Sequence, residues 1–202
     1  RLTQPLPLAG TAQQPVFDFT DDFTSRRLRP EWSWNYPYAT PDIELADGRL
    51  YLGGTPKAGV KTGTALCLRA VTPDYTLETA QVNRSRGLSG ITMYGDDKNL
   101  LVWGLDGDRL QLQLIRYGKA TRLAEPVSVP AGLPVYLRME VREGAPASFG
   151  YSTDGREWKS AGNLSAASAD LLQWDRVARP GLYYQGPADY FAEFEYVHIA
   201  NH

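Results

Sequence analysis

The stretch Val135-Tyr136-Leu137-Arg138-Met139-Glu140-Val141-Arg142 alternates without a break: every odd position is apolar, and three of the four even positions are charged. Side chains leave a β-strand on opposite faces in turn, whereas a helix would scatter this pattern around its circumference. The segment therefore predicts a strand with one face in a core and the other in water. Leu110-Gln111-Leu112-Gln113-Leu114 repeats the pattern. Asp47-Gly48, Gly107-Asp108 and Asp154-Gly155 stand between such runs and supply the positive φ angles of tight hairpins. Tyr190 to Ile199 is apolar or aromatic at both parities, which predicts a central strand covered on both faces. One short helix is expected, Ala166 to Leu172, after the capping residue Ser165. Short strands with turn signals about every 8–12 residues imply an all-β chain folded as a two-sheet antiparallel β-sandwich.

A chain of 202 residues suits one such unit and can bury a core without disulfide staples. Residues 1–15 carry Pro5, Pro7 and Pro15 with no periodicity and read as a linker or extended arm. The sandwich is expected over 16–202, its order beginning at Val16-Phe17-Asp18-Phe19. The chain starts at Arg1 without Met, so removal of a leader or an upstream domain is expected. With a net charge of -2, the densest basic cluster, Ser25-Arg26-Arg27-Leu28-Arg29, is closed by Pro30 and Glu31, and no nucleic-acid partner is expected. No apolar run reaches the roughly 20 residues of a membrane-spanning helix. Cys67, the single cysteine, reads as a small buried apolar residue in Ala65-Leu66-Cys67-Leu68. Asn83-Arg84-Ser85 and Asn163-Leu164-Ser165 fit the glycosylation pattern. A secreted or periplasmic location is the expectation, with the cytoplasm left open.

No catalytic constellation accompanies the strands. Carboxylates acting together on one strand must be two or four residues apart to share a face. Asp42-Ile43-Glu44 has that parity but runs into the turn at Asp47-Gly48; Glu193 and Glu195 also share a face and read as an outward polar stripe. His198 and His202 lie near no nucleophile, and no His or Cys spacing fits zinc. No catalytic residue, metal ligand or cofactor is assigned. Structural calcium stays open at Asp96-Asp97-Lys98-Asn99 and Gly186-Pro187-Ala188-Asp189, which equally read as turns.

Several segments, in order along about residues 17 to 200, resemble the concanavalin A-like domain at the C-terminus of glycoside hydrolase family 43 enzymes, the β-xylosidase and arabinofuranosidase group. The resemblance begins with Asp22 to Leu28 and Trp32 to Pro37, continues through Gly48 to Leu52, Ala65 to Arg69 and Ser89 to Asn99, and ends with Tyr136 to Glu140, Phe149 to Trp158 and Ala192 to Tyr196. Val177 to Leu182 departs from it. The resemblance implies a jelly roll of the concanavalin A type that binds oligosaccharide or polysaccharide of the xylan or arabinoxylan kind. It also implies catalytic carboxylates in a separate upstream propeller domain, against whose active site a sandwich loop can close. It makes Arg69 a concave-face arginine.

Sugar rings stack their C–H faces on Trp and Tyr, while their hydroxyls need planar hydrogen-bonding partners. Trp34, Tyr36, Tyr94 and Trp103 are expected at a surface, and Asn99 shares a parity with Trp103. With Gln81, Tyr184, Gln185 and Arg69 they are expected to line one concave sheet. Trp32 and Trp158 are expected in the core or in hairpin packing. Three readings follow: a non-catalytic accessory domain that binds carbohydrate, a stand-alone glycoside hydrolase with an unrecognised carboxylate pair, and a module for packing against other domains.

Overall fold

A computed structural model describes residues 18–82, 86–144, 146–164, 171 and 177–202. The strands in chain order are β1 (Phe19–Asp21), β2 (Ser33–Trp34), β3 (Ala39–Ala46), β4 (Arg49–Pro56), β5 (Thr64–Cys67), β6 (Tyr75–Val82), β7 (Leu88–Tyr94) and β8 (Leu100–Asp106). They continue with β9 (Arg109–Arg116), β10 (Lys119–Arg122), β11 (Val127–Ser128), β12 (Pro134–Val141), β13 (Ala147–Ser152), β14 (Lys159–Leu164), β15 (Arg179–Gln185) and β16 (Ala192–Asn201). Among the described residues there is no helix. The expected helix at Ala166 to Leu172 falls, apart from Leu171, outside the described residues, as do Val16, Phe17, the arm at 1–15 and Asn83-Arg84-Ser85.

Two antiparallel sheets form the sandwich. The first has the order β14-β13-β12-β6-β16-β4-β3, with β1 also on β16; the second has the order β10-β9-β8-β7-β15-β5-β2, with β11 on β9. The alternation of Val135–Arg142 becomes β12, where Val135, Leu137, Met139 and Val141 are buried and Tyr136, Arg138 and Glu140 are half-buried on the opposite face. Asp47 and Gly48 join β3 to β4 with φ of 52° and 66°, the left-handed pair that matches the twist of a hairpin. The core between the sheets is drawn from both, with Leu50, Leu77, Leu137 and Phe194 meeting Leu66, Ile91, Trp103 and Leu182. Each fully buried side chain of this kind stabilises by about 1.5–3 kcal/mol.

The two sheets differ on their outer faces. On the first, no third layer among the described residues covers the strands. β16 is central, as its composition predicts, but Glu193, Glu195, Tyr196 and His198 on its outer side are only half-buried. A bulge near Glu195 lets Phe194 and Val197 both face the core although they differ in parity. On the second sheet every residue of β7, and Leu100 to Leu105 of β8, is buried. Its outer face carries a second apolar cluster that includes Cys67, Tyr94, Val102 and Tyr183. The segment Lys61–Gly63 is laced onto this face: the Gly63 amide donates to the Tyr183 hydroxyl (2.7 Å), and Gln185 Nε2 donates to the Lys61 carbonyl (2.7 Å). That segment ties down Tyr183 and Gln185 on this face.

Candidate functional site

The expected platform divides. Trp34 and Tyr36 lie at the surface, 41% and 70% exposed, on and just after the edge strand β2. Arg69 is exposed just past β5. Gln185 sits on the outer face of the second sheet but is engaged at both ends of its amide, accepting from the Tyr183 hydroxyl at 2.8 Å.

The other five residues are corrections. Trp103 is 2% exposed and points between the sheets, where its Nε1 donates to the Gly150 carbonyl at 2.9 Å and its ring centroid lies 6.4 Å from that of Tyr151. Tyr184 is in the same core, its hydroxyl donating to Pro187 O at 2.7 Å. Gln81 is buried opposite β7, with Nε2 2.6 Å from Ser89 Oγ. Tyr94 is buried in the outer cluster, and loss of hydration raises the pKa of its phenol. Asn99 precedes β8 and is spent on a turn: its Nδ2 donates to Asp96 Oδ1 at 3.0 Å and its Oδ1 accepts from the Tyr117 amide. For Tyr94, Trp103 and Tyr184 the cause is that the second sheet is covered on both sides, so alternation there separates two interiors rather than an interior from a surface; Gln81 faces the core from the first sheet, and Asn99 is held by a turn.

Around Asp96 the turn chemistry is complete, since Oδ1 also accepts from the amides of Lys98 and Asn99 at 2.8 Å each. In the other calcium candidate, Pro187 O accepts from Tyr184 and from the Tyr190 amide. Among the described residues no group of three His, Cys, Asp or Glu side chains could hold a metal ion. Cys67 is buried as expected, and loss of hydration pushes its thiol up to about 12. Trp32 is in the core, with Nε1 donating to Asp21 Oδ2 at 2.8 Å; Trp158 is half-buried beneath the Arg138 guanidinium, 3.7 Å from the ring centroid.

Of the carboxylates that share a face by spacing, one pair is occupied and one is open. Glu193 and Glu195 both hold Arg49, at 3.3 and 3.4 Å. Asp42 and Glu44 are exposed on β3, the last strand of its sheet, opposite Gly53 and Tyr51. A pair that spacing did not flag, Glu78 and Glu140, lies on the outer face of the first sheet, in a polar groove of about 530 Å³ that also contains Tyr196 and His198. Glu78 Oε1 is 2.6 Å from Arg138 Nε, and Glu140 is 3.9 Å from Arg142. The two carboxylates come from β6 and β12, so only strand register brings them together.

A larger cleft, of about 690 Å³, opens at one end of the sandwich. Phe19, Trp32, Leu68 and Ile199 form an apolar floor; Asp18, Arg29, Glu31, Ser33, Arg69, Val71, Arg179 and Asn201 complete the wall. Its volume falls within the range of small-ligand pockets, about 300–1,000 Å³. Arg29 braces one side, donating to Thr20 O at 2.7 Å and to Glu31 Oε1 at 3.0 Å, with Cζ 4.5 Å from the Phe19 ring centroid. Hydrogen bonding to its own backbone amide and then to Arg29 lowers the pKa of Glu31. Asp18 Oδ1 accepts from the Asn201 amide at 3.0 Å, and Ser33 Oγ donates to Cys67 O at 3.1 Å. Of the residues expected to bind, Arg69 lines this cleft, while Trp34 and Tyr36 follow Ser33 directly along the chain. Arg29, Glu31 and Arg179 were not expected to bind; the first two enter the sequence reading only as part of the basic cluster and its end.

Residues 20–200 match the family model of the β-xylosidase C-terminal concanavalin A-like domain. No curated protein matches the chain by sequence. Among solved structures, a xylan β-1,4-xylosidase from Bacillus halodurans C-125 is similar at 18% identity and a TM-score of 0.74, over 97% of this chain and 41% of that one. A GH43B protein of a xyloglucan locus from Bacteroides ovatus gives 18% and 0.72, over 98% and 41%. A GH43 protein from Bacillus licheniformis gives 17% and 0.69, over 91% and 39%. At such identities the likeness shows the shared fold, and the chain spans about two fifths of the length of these proteins.

Proposed function

Because the chain belongs to the β-xylosidase C-terminal concanavalin A-like domain family, we propose that it is a non-catalytic accessory domain that holds saccharide at the end cleft and the adjoining Trp34–Tyr36 surface. The family match over residues 20–200 carries this reading. Two features of the cleft agree with it. Its floor is apolar and suits the C–H faces of sugar rings, and its rim offers guanidinium, amide and hydroxyl groups for their hydroxyls. The carboxylates that could have acted as a glycosidase pair are instead held by arginines at Arg49, Arg138 and Arg142, or stand in the open on β3. The reading takes xylan or arabinoxylan as the glycan, an upstream propeller as the catalytic partner and an exported location.

Affinity electrophoresis of the 202-residue chain through gels containing xylan or arabinoxylan tests it. Retardation is expected, weakened in a Trp34→Ala/Tyr36→Ala double variant by about 1–3 kcal/mol per lost stacking ring, by analogy with other aromatic platforms. Free migration on every glycan would overturn it. Turnover of aryl xylosides that vanishes on Glu78→Gln would replace it with the hydrolase reading.

A further inference from the structure

We propose that the end cleft is built for a carboxylate-bearing sugar, a uronic acid carried on the glycan, whose carboxylate is held by Arg69 and Arg179. The inference deepens, and rests on, the saccharide-binding reading of the same cleft.

Strand register carries it. β5 and β15 are antiparallel with Cys67 opposite Gly181, and beyond the last paired residues the Leu68 amide still donates to Pro180 O at 2.8 Å. One step further places Arg69 across from Arg179, and both line the cleft. Arg179 is paired with Tyr94 of β7 and, like Cys67, belongs to the outer side of the sheet; Arg69, just past the end of β5, continues the parity of Cys67. Like charges directly opposed on neighbouring strands repel, an arrangement that sequences avoid unless something offsets it. Glu31 is taken by Arg29, and Asp18 by the Asn201 amide. No ion pair among the described residues reaches Arg69 or Arg179. Arg179 rests on the face of buried Tyr94, its Cζ 5.5 Å from the ring centroid, which fixes the guanidinium without neutralising it. The cleft holds three arginines and two carboxylates, an excess of one positive charge.

Two guanidinium groups, that of Arg179 set on the Tyr94 ring, match the two oxygens of a carboxylate, which neutral sugar hydroxyls cannot do. Leu68 and Trp32, which turn towards the core between the sheets, line the same cleft and supply apolar surface for the ring that carries the acid. A uronic acid presents both features in one unit.

Isothermal titration calorimetry on the 202-residue chain tests this, using a neutral xylo-oligosaccharide, the same oligosaccharide bearing one glucuronic acid branch, and inorganic phosphate. The branched ligand is expected to bind about tenfold or more tightly than the neutral one, with a preference that falls as salt is raised. Arg69→Met, an exposed change checked by unfolding, should weaken the branched ligand by more than the neutral one and so bring the two affinities together; Arg69→Lys should recover only part of the preference. Equal affinity for both oligosaccharides, unchanged in Arg69→Met, overturns the acidic ligand while the saccharide reading survives. Phosphate displacing the branched ligand at equal concentration also overturns it, in favour of a general anion site. Binding of neither oligosaccharide overturns both readings.

Discussion

Replacing Trp103 with alanine separates a core residue from a binding residue. The indole is 2% exposed and lies between Tyr151 of the first sheet and the strands of the second. Removing a buried Trp or Phe side chain costs about 3–5 kcal/mol through lost transfer energy and the cavity left behind. The hydrogen bond from Nε1 to Gly150 O adds about 1 kcal/mol, since a half-buried carbonyl then loses its donor. The expected loss is about 4–6 kcal/mol, comparable with the whole stability of a marginal domain, which is about 5–15 kcal/mol. Trp103→Phe keeps most of the apolar volume and loses the donor, and should cost about 1–3 kcal/mol. Urea unfolding followed by circular dichroism reads both, with an unchanged m-value marking a change in stability alone. A Trp103→Ala variant that loses less than about 2 kcal/mol would place the ring outside the core and refute the reasoning.

Two further outcomes follow from the titrating groups. Cys67, buried and with its thiol pushed up to about 12, should resist alkylation at neutral and mildly alkaline pH until the chain unfolds; rapid labelling of the native protein, read by mass spectrometry, would contradict its burial. Asp154 accepts from the backbone amides of Arg156 and Glu157 and then from the Ser152 hydroxyl, which lowers its pKa from 3.8 to about 2. Its contribution to stability is therefore present above its ordinary value and lost as pH falls from 3.8 towards about 2. Asp154→Asn should flatten the acid limb of a thermal-unfolding profile over that window, and an unchanged acid limb would show that the turn is not held by this carboxylate.

How much could be read in advance depends on what lies on each side of a strand. Val135–Arg142 was legible because one face meets the core and the other meets water. The turn at Asp47-Gly48 was legible because few dipeptides accept two positive φ angles; Tyr117-Gly118, with φ of 51° and 73°, makes the same kind of turn with a residue that gives no such signal. Tyr94, Trp103 and Tyr184 were misplaced because parity assigns faces without saying which face is open, and here both are closed. The bulge in β16 reverses parity partway along, which no period-two pattern anticipates. Arg69 was found through a family likeness, but its partner was not. Arg179 comes beside it only through the pairing of β5 with β15, contributed by distant parts of the chain.

The most direct test of saccharide binding at the end cleft is a nitrogen-15 NMR titration of the 202-residue chain with xylo-oligosaccharide, observing the indole N–H signals. Trp32 lines the cleft and Trp34 adjoins it, while Trp103 is sealed between the sheets. The account predicts saturable shifts at Trp32 and Trp34, a still signal at Trp103 and intact ligand at the end of the titration. Shifts confined to Trp158 on the outer face of the first sheet, or cleavage of the ligand, would contradict it.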